Sequence, residues 1–150
     1  DARGSPRGKS GSTVLLQIER PVVPARIPFT LARGEIRVHS VRHASMIGDG
    51  VGYLNLTIFS DSSADEVRQA VTQLRSQGMK SLVLDLRANP GGLLEQGVAV
   101  ADLFLDAGQS IVATKGRMPN DTRAYADREP QHYAGMPLIV LTDSGSASAS

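Results

Sequence analysis

Apolar residues recur along the chain with two different periods, and the period separates the predicted strands from the predicted helices. Continuous or alternating apolar runs favour short strands. These runs occupy residues 13–20, 35–41, 53–59, 81–87, 111–114 and 137–142. Prolines at positions 21, 24 and 28 indicate that residues 22–29 form an extended connector or edge rather than a helix. Glycines at positions 48, 50 and 52 predict a loop before the third run.

Two segments carry the helical repeat instead. Residues 63–66 (Ser-Ala-Asp-Glu) match a capping box, in which the serine oxygen accepts an amide proton three residues on and the glutamate reaches back. An apolar stripe at helical spacing follows, and Gly78 is the left-handed residue expected where this helix ends. The stripe consists of Val67, Ala70, Val71 and Leu74. A second helix is predicted over residues 93–106.

Two segments lack either period. Residues 1–10 are typical of a loop or frayed terminus, and the polar residues 115–135 predict a long loop. A loop of that length is usually a functional lid or disordered. The order of the strands and helices favours an α/β (α+β) fold in which the strand pairing is at least partly parallel.

Composition narrows the class of protein. A chain of 150 residues suffices for one domain, or one domain and a piece of another. Hydrophobic residues at 41% and charged residues at 21% are near ordinary globular values and argue against wholesale disorder. The lack of Cys excludes disulfide and thiol chemistry, and 4% aromatics without Trp are too few for a platform on which nucleic-acid bases stack. Apolar runs such as residues 137–141 are too short for a membrane span.

The net charge of +1 is spread unevenly. Residues 1–43 hold eight basic against three acidic residues, and residues 44–150 hold eight against twelve. A basic amino-terminal stretch is one feature of proteins that bind nucleic acid. Here the basic residues are scattered singly among apolar residues and prolines, so no nucleic-acid partner is predicted.

Two turns that follow apolar strands hold the candidate chemistry. They are LDLRANPGGLL at residues 84–94 and LIVLTDSGSASAS at residues 138–150, each with small residues that predict a helix start. Ligands collect beyond the carboxyl ends of parallel strands, so we expect both turns at one sheet edge. Free amides there could hold an oxyanion, since Gly91 and Gly92 let another backbone approach. Taken singly, residues 89–92 also fit a plain turn and residues 145–150 a flexible tail.

Three segments taken together indicate a particular protein family more specifically than either turn does alone. They are GYL at residues 52–54, LVLDLRANPGG at residues 82–92 and GSASAS at residues 145–150. With these segments the chain resembles the carboxyl-terminal processing (tail-specific) serine peptidases over roughly residues 11–150. The resemblance implies a ClpP/crotonase-like core with a mixed sheet and flanking helices.

The resemblance also implies that the chain divides into three parts. Residues 11–20 are similar to the closing strand of a PDZ domain, so residues 1–21 are expected to be the remnant of a PDZ-like domain. Residues 22–52 are then the connector and the first core strands. Residues 53–150 are the amino-terminal part of an incomplete peptidase core.

In this family the middle serine of the S-A-S-A-S run is the nucleophile, which here is Ser148. The resemblance implies that the amides of Gly92 and Ala149 form the oxyanion hole and that Gly91 allows the close approach. The general base is a neutral Lys from a downstream F-G-K-G segment, which lies beyond residue 150. The 150-residue chain alone is therefore expected to be inactive. Its own lysines, Lys9, Lys80 and Lys115, are expected to be solvated.

The remaining titratable residues suggest no other catalytic group. No spacing links His39, His43 or His132 to Ser148. Asp85 lies in an apolar strand and is expected to brace Arg87 or a loop amide.

Two alternatives to the peptidase stay open at this stage. One is a non-catalytic module on the same fold that binds ligands or peptides, and the other is an acyl-CoA enzyme of the crotonase group. For the peptidase, the resemblance implies protein or peptide substrates with free carboxyl termini, no cofactor, and a location outside the cytoplasm.

Overall fold

The computed structural model describes residues 7–21, 23–34, 38–117, 122–127, 132–133 and 135–150. The chain divides into two compact units, Asp1–Arg37 and Val38–Ser150. The first contains an antiparallel hairpin of β1 (Thr13–Arg20) and β2 (Val23–Ala32). The strand predicted over residues 13–20 is confirmed, and the extended segment after it pairs with that strand.

The second unit is built around a four-stranded mixed sheet. In chain order its strands are β3 (Val41–Gly48), β4 (Val51–Leu56), β5 (Ser81–Asp85) and β8 (Leu138–Leu141), which is also their order across the sheet. β3 is antiparallel to β4, whereas β4, β5 and β8 run parallel. Helices α1 (Ser63–Ser76) and α2 (Leu94–Asp102) follow β4 and β5, and β6 (Ser110–Thr114) pairs with β7 (Arg123–Ala126) in a separate antiparallel ribbon. The predicted α/β class with a mixed sheet is confirmed.

The core lies between α1 and one face of the sheet. The four residues of the predicted α1 stripe are all buried, and they join a cluster with Leu54, Leu56, Leu82 and Leu84 of the strands. Alternate strand residues share a face, which is why these four leucines point to the same side. Burial of one such side chain contributes about 1.5–3 kcal/mol, so this cluster anchors β4 and β5. Gly78 has a φ of +93°, as expected for the residue after the helix.

The predicted capping box at residues 63–66 is wrong. α1 begins at Ser63, and the hydroxyl of Ser63 accepts the amide proton of Ser60 at 2.8 Å. The Glu66 carboxylate accepts the backbone N–H groups of Ser40 and Val41, both at 2.9 Å. Partial burial alone would raise the pKa of Glu66, but these bonds and one from Ser62 lower it. Glu66 therefore fastens the chain that enters β3 to the start of α1.

The strand predicted over residues 35–41 is wrong for residues 38–40, and residues 35–37 lie outside the described residues. The N–H groups of Ser40 and Val41 donate to the Glu66 carboxylate instead of to a neighbouring strand, and β3 begins at Val41. β3 and β4 form a hairpin whose two-residue turn is Asp49-Gly50, where the sequence analysis predicted a longer loop. Asp-Gly is a common two-residue hairpin turn, and Gly50 has the positive φ, +75°, that it requires.

Two other predictions need correction. Residues 115–135 were predicted to be a loop, yet β7 lies within them because its backbone pairs with β6. Residues 118–121, 128–131 and 134 of that segment lie outside the described residues. After β8, the described residues 142–150 form turns rather than the start of a helix.

The core can be tested at Leu54, which is fully buried between α1 and the sheet. We expect Leu54→Ala to lower the free energy of unfolding by about 2–5 kcal/mol, because the lost methyl groups leave a cavity. Urea denaturation followed by circular dichroism measures this change. Gln73→Ala on the exposed side of α1 is the control and should change it by less than about 0.5 kcal/mol. Equal effects of the two substitutions would contradict this description of the core.

Candidate active site

The two Gly-containing turns leave the same edge of the sheet. β5 and β8 are parallel neighbours, and Asp85 at the end of β5 lies opposite Leu141 at the end of β8. The segments that follow, residues 86–93 and 142–150, therefore start side by side. The expectation that both turns share one sheet edge is confirmed.

Three hydrogen bonds hold the two turns against each other. The Ala147 N–H donates to the Asn89 carbonyl at 3.1 Å, and the Ser146 hydroxyl donates to the Leu86 carbonyl at 2.7 Å. The Ala88 N–H donates to Asp143 Oδ1 at 2.8 Å. This bond and further ones from the second turn lower the pKa of the Asp143 carboxyl. Backbone and side-chain bonds together thus fasten one turn to the other.

The glycine pair makes this contact sterically possible. A Cβ on Gly91 would lie 2.5 Å from the Ala147 carbonyl oxygen and 2.8 Å from the Ala149 nitrogen. A Cβ on Gly92 would clash with the Phe59 carbonyl oxygen. Both residues also have positive φ angles, +92° and +143°, which side chains disfavour. Glycine is required at both positions, for space and for conformation.

The peptide group between Gly91 and Gly92 has a defined orientation. The Phe59 N–H donates to the Gly91 carbonyl at 2.9 Å, and the Leu93 N–H donates to the Phe59 carbonyl at 2.9 Å. In a trans peptide the C=O and N–H point in opposite directions, so the Gly92 N–H points away from Phe59. In the described part of the chain, this N–H has no acceptor.

Ser148 lies at the tip of the second turn, with its side chain exposed. Its φ is +57°, an uncommon left-handed value for a residue other than glycine. The Ser150 N–H closes the turn by donating to the Ala147 carbonyl at 3.1 Å. Among the residues that the structure describes, neither the Ala149 N–H nor the Ser148 hydroxyl has a hydrogen-bond partner. Strained backbone of this kind is concentrated at functional sites.

The structure thus brings together all four residues that the sequence analysis singled out. Gly91 lies against the Ala147 carbonyl oxygen, the Ser148 Cβ and the Ala149 nitrogen, and Gly92 follows it in the chain. An exposed hydroxyl can attack a carbonyl carbon, and two unpaired amides at the same place can bind the oxyanion that forms.

An apolar cavity of about 410 Å³ opens beside Ser148. Residues 148–150 form one part of its wall, and the rest is formed by Phe59 and by residues of α2, β5, β6, β8 and the segments that follow α2 and β5. They include Leu86, Val98, Phe104, Ile111 and Val140. Gly97 of α2 lets the second turn come close, since a Cβ there would lie 2.7 Å from the Ala149 carbonyl oxygen.

Asp85 braces Arg87 at the point where β5 leaves the sheet, as predicted. Its carboxylate accepts the Arg87 side chain at 2.7 and 2.9 Å, the Arg87 N–H at 3.0 Å and the Tyr53 hydroxyl at 2.5 Å. The Arg87 guanidinium, then the Tyr53 hydroxyl and the Arg87 N–H, hold the pKa of Asp85 well below its usual range in spite of burial. The first turn therefore starts from a fixed strand end.

Within the described part of the second unit, Ser148 has no hydrogen bond with Lys80, Lys115, His39 or His43. Lys80 precedes β5, at the opposite edge of the sheet, and Lys115 is exposed after β6. His39 lies 3.7 Å from Glu66, and His43 bonds to Ser45.

Two residues that hold the turns were missed by the sequence analysis. Asn89 and Asp143 accept amide protons from the residues two positions on, Gly91 and Gly145, each at 2.8 Å. Asn and Asp two residues before Gly are typical of such local side-chain turns. That signal could have identified both residues, although not the bonds they make to distant segments.

The described helices include none with both the length and the apolar character that crossing a bilayer requires.

The family model for peptidase family S41 matches residues 50–150. The chain is 34% identical over 143 residues to the carboxy-terminal processing protease CtpA of Bacillus subtilis, covering 95% of this chain and 30% of the relative. It is 37% identical over 148 residues to the carboxy-terminal-processing protease of Bartonella bacilliformis, covering 96% of this chain and 33% of the relative. The chain thus spans about a third of the length of these relatives.

A solved structure of the photosystem II D1 C-terminal processing protease has the same fold, with a TM-score of 0.62 and 28% identity. The similarity covers 95% of this chain and 40% of that one. The structure of an S41 protease from Bacteroides fragilis is similar in fold, with a TM-score of 0.59 and 22% identity over 93% of this chain and 43% of that one.

The steric requirement at Gly92 can be tested by Gly92→Ala. We expect a larger loss of unfolding free energy than for Gly108→Ala. Both glycines have positive φ angles, +143° and +88°, but a Cβ on Gly108 would meet nothing within 4 Å. The control measures the cost of a side chain at a positive φ without a clash, about 1–3 kcal/mol, and the excess at Gly92 comes from the clash with Phe59 and from its more extreme φ. Equal losses in thermal unfolding would show that the clash is absent.

The Asp85 bonds predict a pH dependence. Because the pKa of Asp85 is lower in the folded protein than in the unfolded chain, acid protonates the unfolded chain first. The stability that Asp85 adds is present above about pH 4 and is lost as the pH falls towards the folded-state pKa. In urea denaturation, the native protein should have a higher free energy of unfolding than Asp85→Asn at pH 7, and this difference should shrink as the pH falls to 3. Asp61→Asn, on an exposed turn, is the control. A difference in unfolding free energy between the native protein and Asp85→Asn that does not change with pH would contradict the lowered pKa of Asp85.

Proposed function

The chain belongs to peptidase family S41, and from this we propose that the whole protein is a serine endopeptidase that cleaves protein or peptide substrates near their carboxyl termini. The observation that carries the proposal is the exposed, backbone-strained Ser148 beside two unpaired backbone amides. The family model covers residues 50–150, which include both turns, and the relatives named as carboxy-terminal processing proteases match 95% and 96% of this chain.

In the proposed reaction, Ser148 Oγ attacks the carbonyl carbon of the scissile peptide bond. The carbonyl oxygen becomes an oxyanion, and the N–H groups of Gly92 and Ala149 donate to it. Both donors belong to the backbone of turns already held in place, so they need little reorganisation during the reaction. Removal of one donor of this kind costs about 2.7–4 kcal/mol of transition-state stabilisation. The C–N bond of the tetrahedral intermediate then breaks, the amine leaves with the proton that the general base took from Ser148, and an acyl group stays on Ser148 until water hydrolyses it.

The proton of the Ser148 hydroxyl requires a general base. The family resemblance implies a neutral lysine in this role, and burial can lower a lysine pKa far enough for it. Lys80 and Lys115 are poorly placed, since one is at the opposite sheet edge and the other is exposed. The resemblance implies a lysine downstream of the nucleophile, and none of Lys9, Lys80 and Lys115 follows Ser148, so the proposal assigns the base to a part of the whole protein that this chain does not include.

The substrate is proposed to be a polypeptide with a free carboxyl terminus, as the names of the relatives suggest for those proteins. The apolar cavity beside Ser148 fits an apolar side chain next to the scissile bond. A location outside the cytoplasm belongs to the same proposal and rests on the family resemblance.

The proposal predicts that Ser148→Ala abolishes peptide cleavage by the whole protein without changing its melting temperature. Cleavage is measured by mass spectrometry of peptides that end in apolar residues. Ser144→Ala is the matched control, because Ser144 is an exposed serine of the same turn. Its cleavage rate should stay within about twofold of the native rate. Cleavage by Ser148→Ala at the native rate would overturn the assignment of Ser148 as the nucleophile, and a lack of cleavage by the native whole protein would favour a binding module.

A further inference from the structure

Asn89 is a fully buried polar side chain beside the proposed oxyanion hole. Its Oδ1 accepts the Gly91 N–H at 2.8 Å, and its Nδ2 donates to the Leu56 carbonyl at 2.9 Å. Its backbone carbonyl accepts the Ala147 N–H at 3.1 Å. Asn89 therefore bonds to three segments: the end of β4, the glycine turn and the turn that carries Ser148.

The bond to Gly91 restricts the glycine turn at its most mobile point. A peptide group between two glycines can rotate with little steric hindrance, because neither residue has a Cβ. On one side Asn89 holds the Gly91 N–H, and on the other side Phe59 holds the Gly91 carbonyl. With both groups of Gly91 held, the Gly92 N–H keeps its direction and stays unpaired.

The chemistry of the site requires an amide side chain. One end of the side chain must accept a proton and the other must donate one, and both partners are buried backbone groups. An aspartate would place a carboxylate against the Leu56 carbonyl, where no proton is available for a hydrogen bond. An apolar side chain would leave both backbone groups without a partner.

We propose that Asn89 is a positioning residue for the reaction, which aims the Gly92 N–H at the oxyanion by holding the Gly91 N–H and the end of β4. This inference rests on the proposed function. Asn89 does not touch the substrate and acts through the glycine turn.

The test uses the whole protein with the substitution Asn89→Asp. We expect kcat to fall about 100-fold with KM within about twofold, because a misdirected donor weakens binding of the transition state and not of the substrate. The protonated acid has one acceptor oxygen and one hydroxyl donor, which reproduces the pattern of the amide. The kcat of the variant relative to the native protein should therefore rise as the pH falls from 9 to 5.

The introduced carboxyl is the group that titrates at this position, because Asn89 forms its hydrogen bonds with backbone groups of Leu56, Leu86, Gly91 and Ala147. Burial raises the pKa of a carboxyl group, which brings its titration into the measured range. Asp143, bonded to Ala88 of the same turn, has a lowered pKa because of its amide bonds and stays ionised in that range.

Asn55→Asp is the matched control. The Asn55 amide also donates to a backbone carbonyl, that of Asp85 at 3.3 Å, but it bonds to neither turn. Its kcat ratio to the native protein should stay flat over the same pH range. A flat ratio for Asn89→Asp, or a rise in KM that accounts for its loss of kcat/KM, would overturn the inference.

If Asn89→Asp does not fold, the inference is tested by comparing the kcat of Asn89→Ser with that of Asn89→Ala. A serine hydroxyl can still accept the Gly91 N–H in a local turn, and alanine cannot. We expect kcat to be at least tenfold higher for the serine variant at equal KM, and equal kcat values would overturn the inference. Ser148→Ala, assayed alongside, separates the two claims. Cleavage by that variant refutes the proposed role of Ser148, whereas its inactivity combined with a failed Asn89 result refutes this inference alone.

Discussion

The site depends on one geometric constraint, the parallel register of β5 and β8. Because Asp85 lies opposite Leu141, the chain leaves both strands at the same level of the same sheet edge. The two turns that follow can then bond to each other, as the Ala147 N–H does to the Asn89 carbonyl. A shift of one residue in this pairing would place the side chains of β8 on the opposite face and separate the turns.

Most of the proposed chemistry is supplied by the backbone. The two glycines allow the turns to approach, and the bonds that Phe59 makes to the first turn orient its free amide. Ser148 is in turn held in a conformation that a serine in an unconstrained turn would rarely adopt. Such strain persists only where surrounding bonds impose it, and here the anchors are Asn89, Asp143 and Ser146.

The sequence predicted those features that depend on local pattern. The α1 stripe followed from spacing, and the meeting of the turns followed from the rule that ligands gather at the carboxyl ends of parallel strands. The four proposed site residues came from motifs in both turns together with the family resemblance. Their positions are now known, and their roles stay predictions.

The predictions that failed depend on contacts between distant parts of the chain. Glu66 matched a local capping box but bonds to amides 25 and 26 residues away. β3 was missed because its exposed residues, such as Arg42 and Ala44, show no apolar alternation. The Asn89 amide reaches Leu56, 33 residues earlier, which no local pattern could indicate.

The central claim is that Ser148, Gly92 and Ala149 surround one reacting carbonyl. It is tested most directly by a crystal structure of the whole protein after reaction with a peptidyl aldehyde, whose tetrahedral adduct mimics the reaction intermediate. The account predicts a covalent bond to Ser148 Oγ, with the adduct oxygen about 2.7–3.1 Å from the nitrogens of both Gly92 and Ala149. An adduct on another residue, or one whose oxygen points away from these two nitrogens, would contradict it.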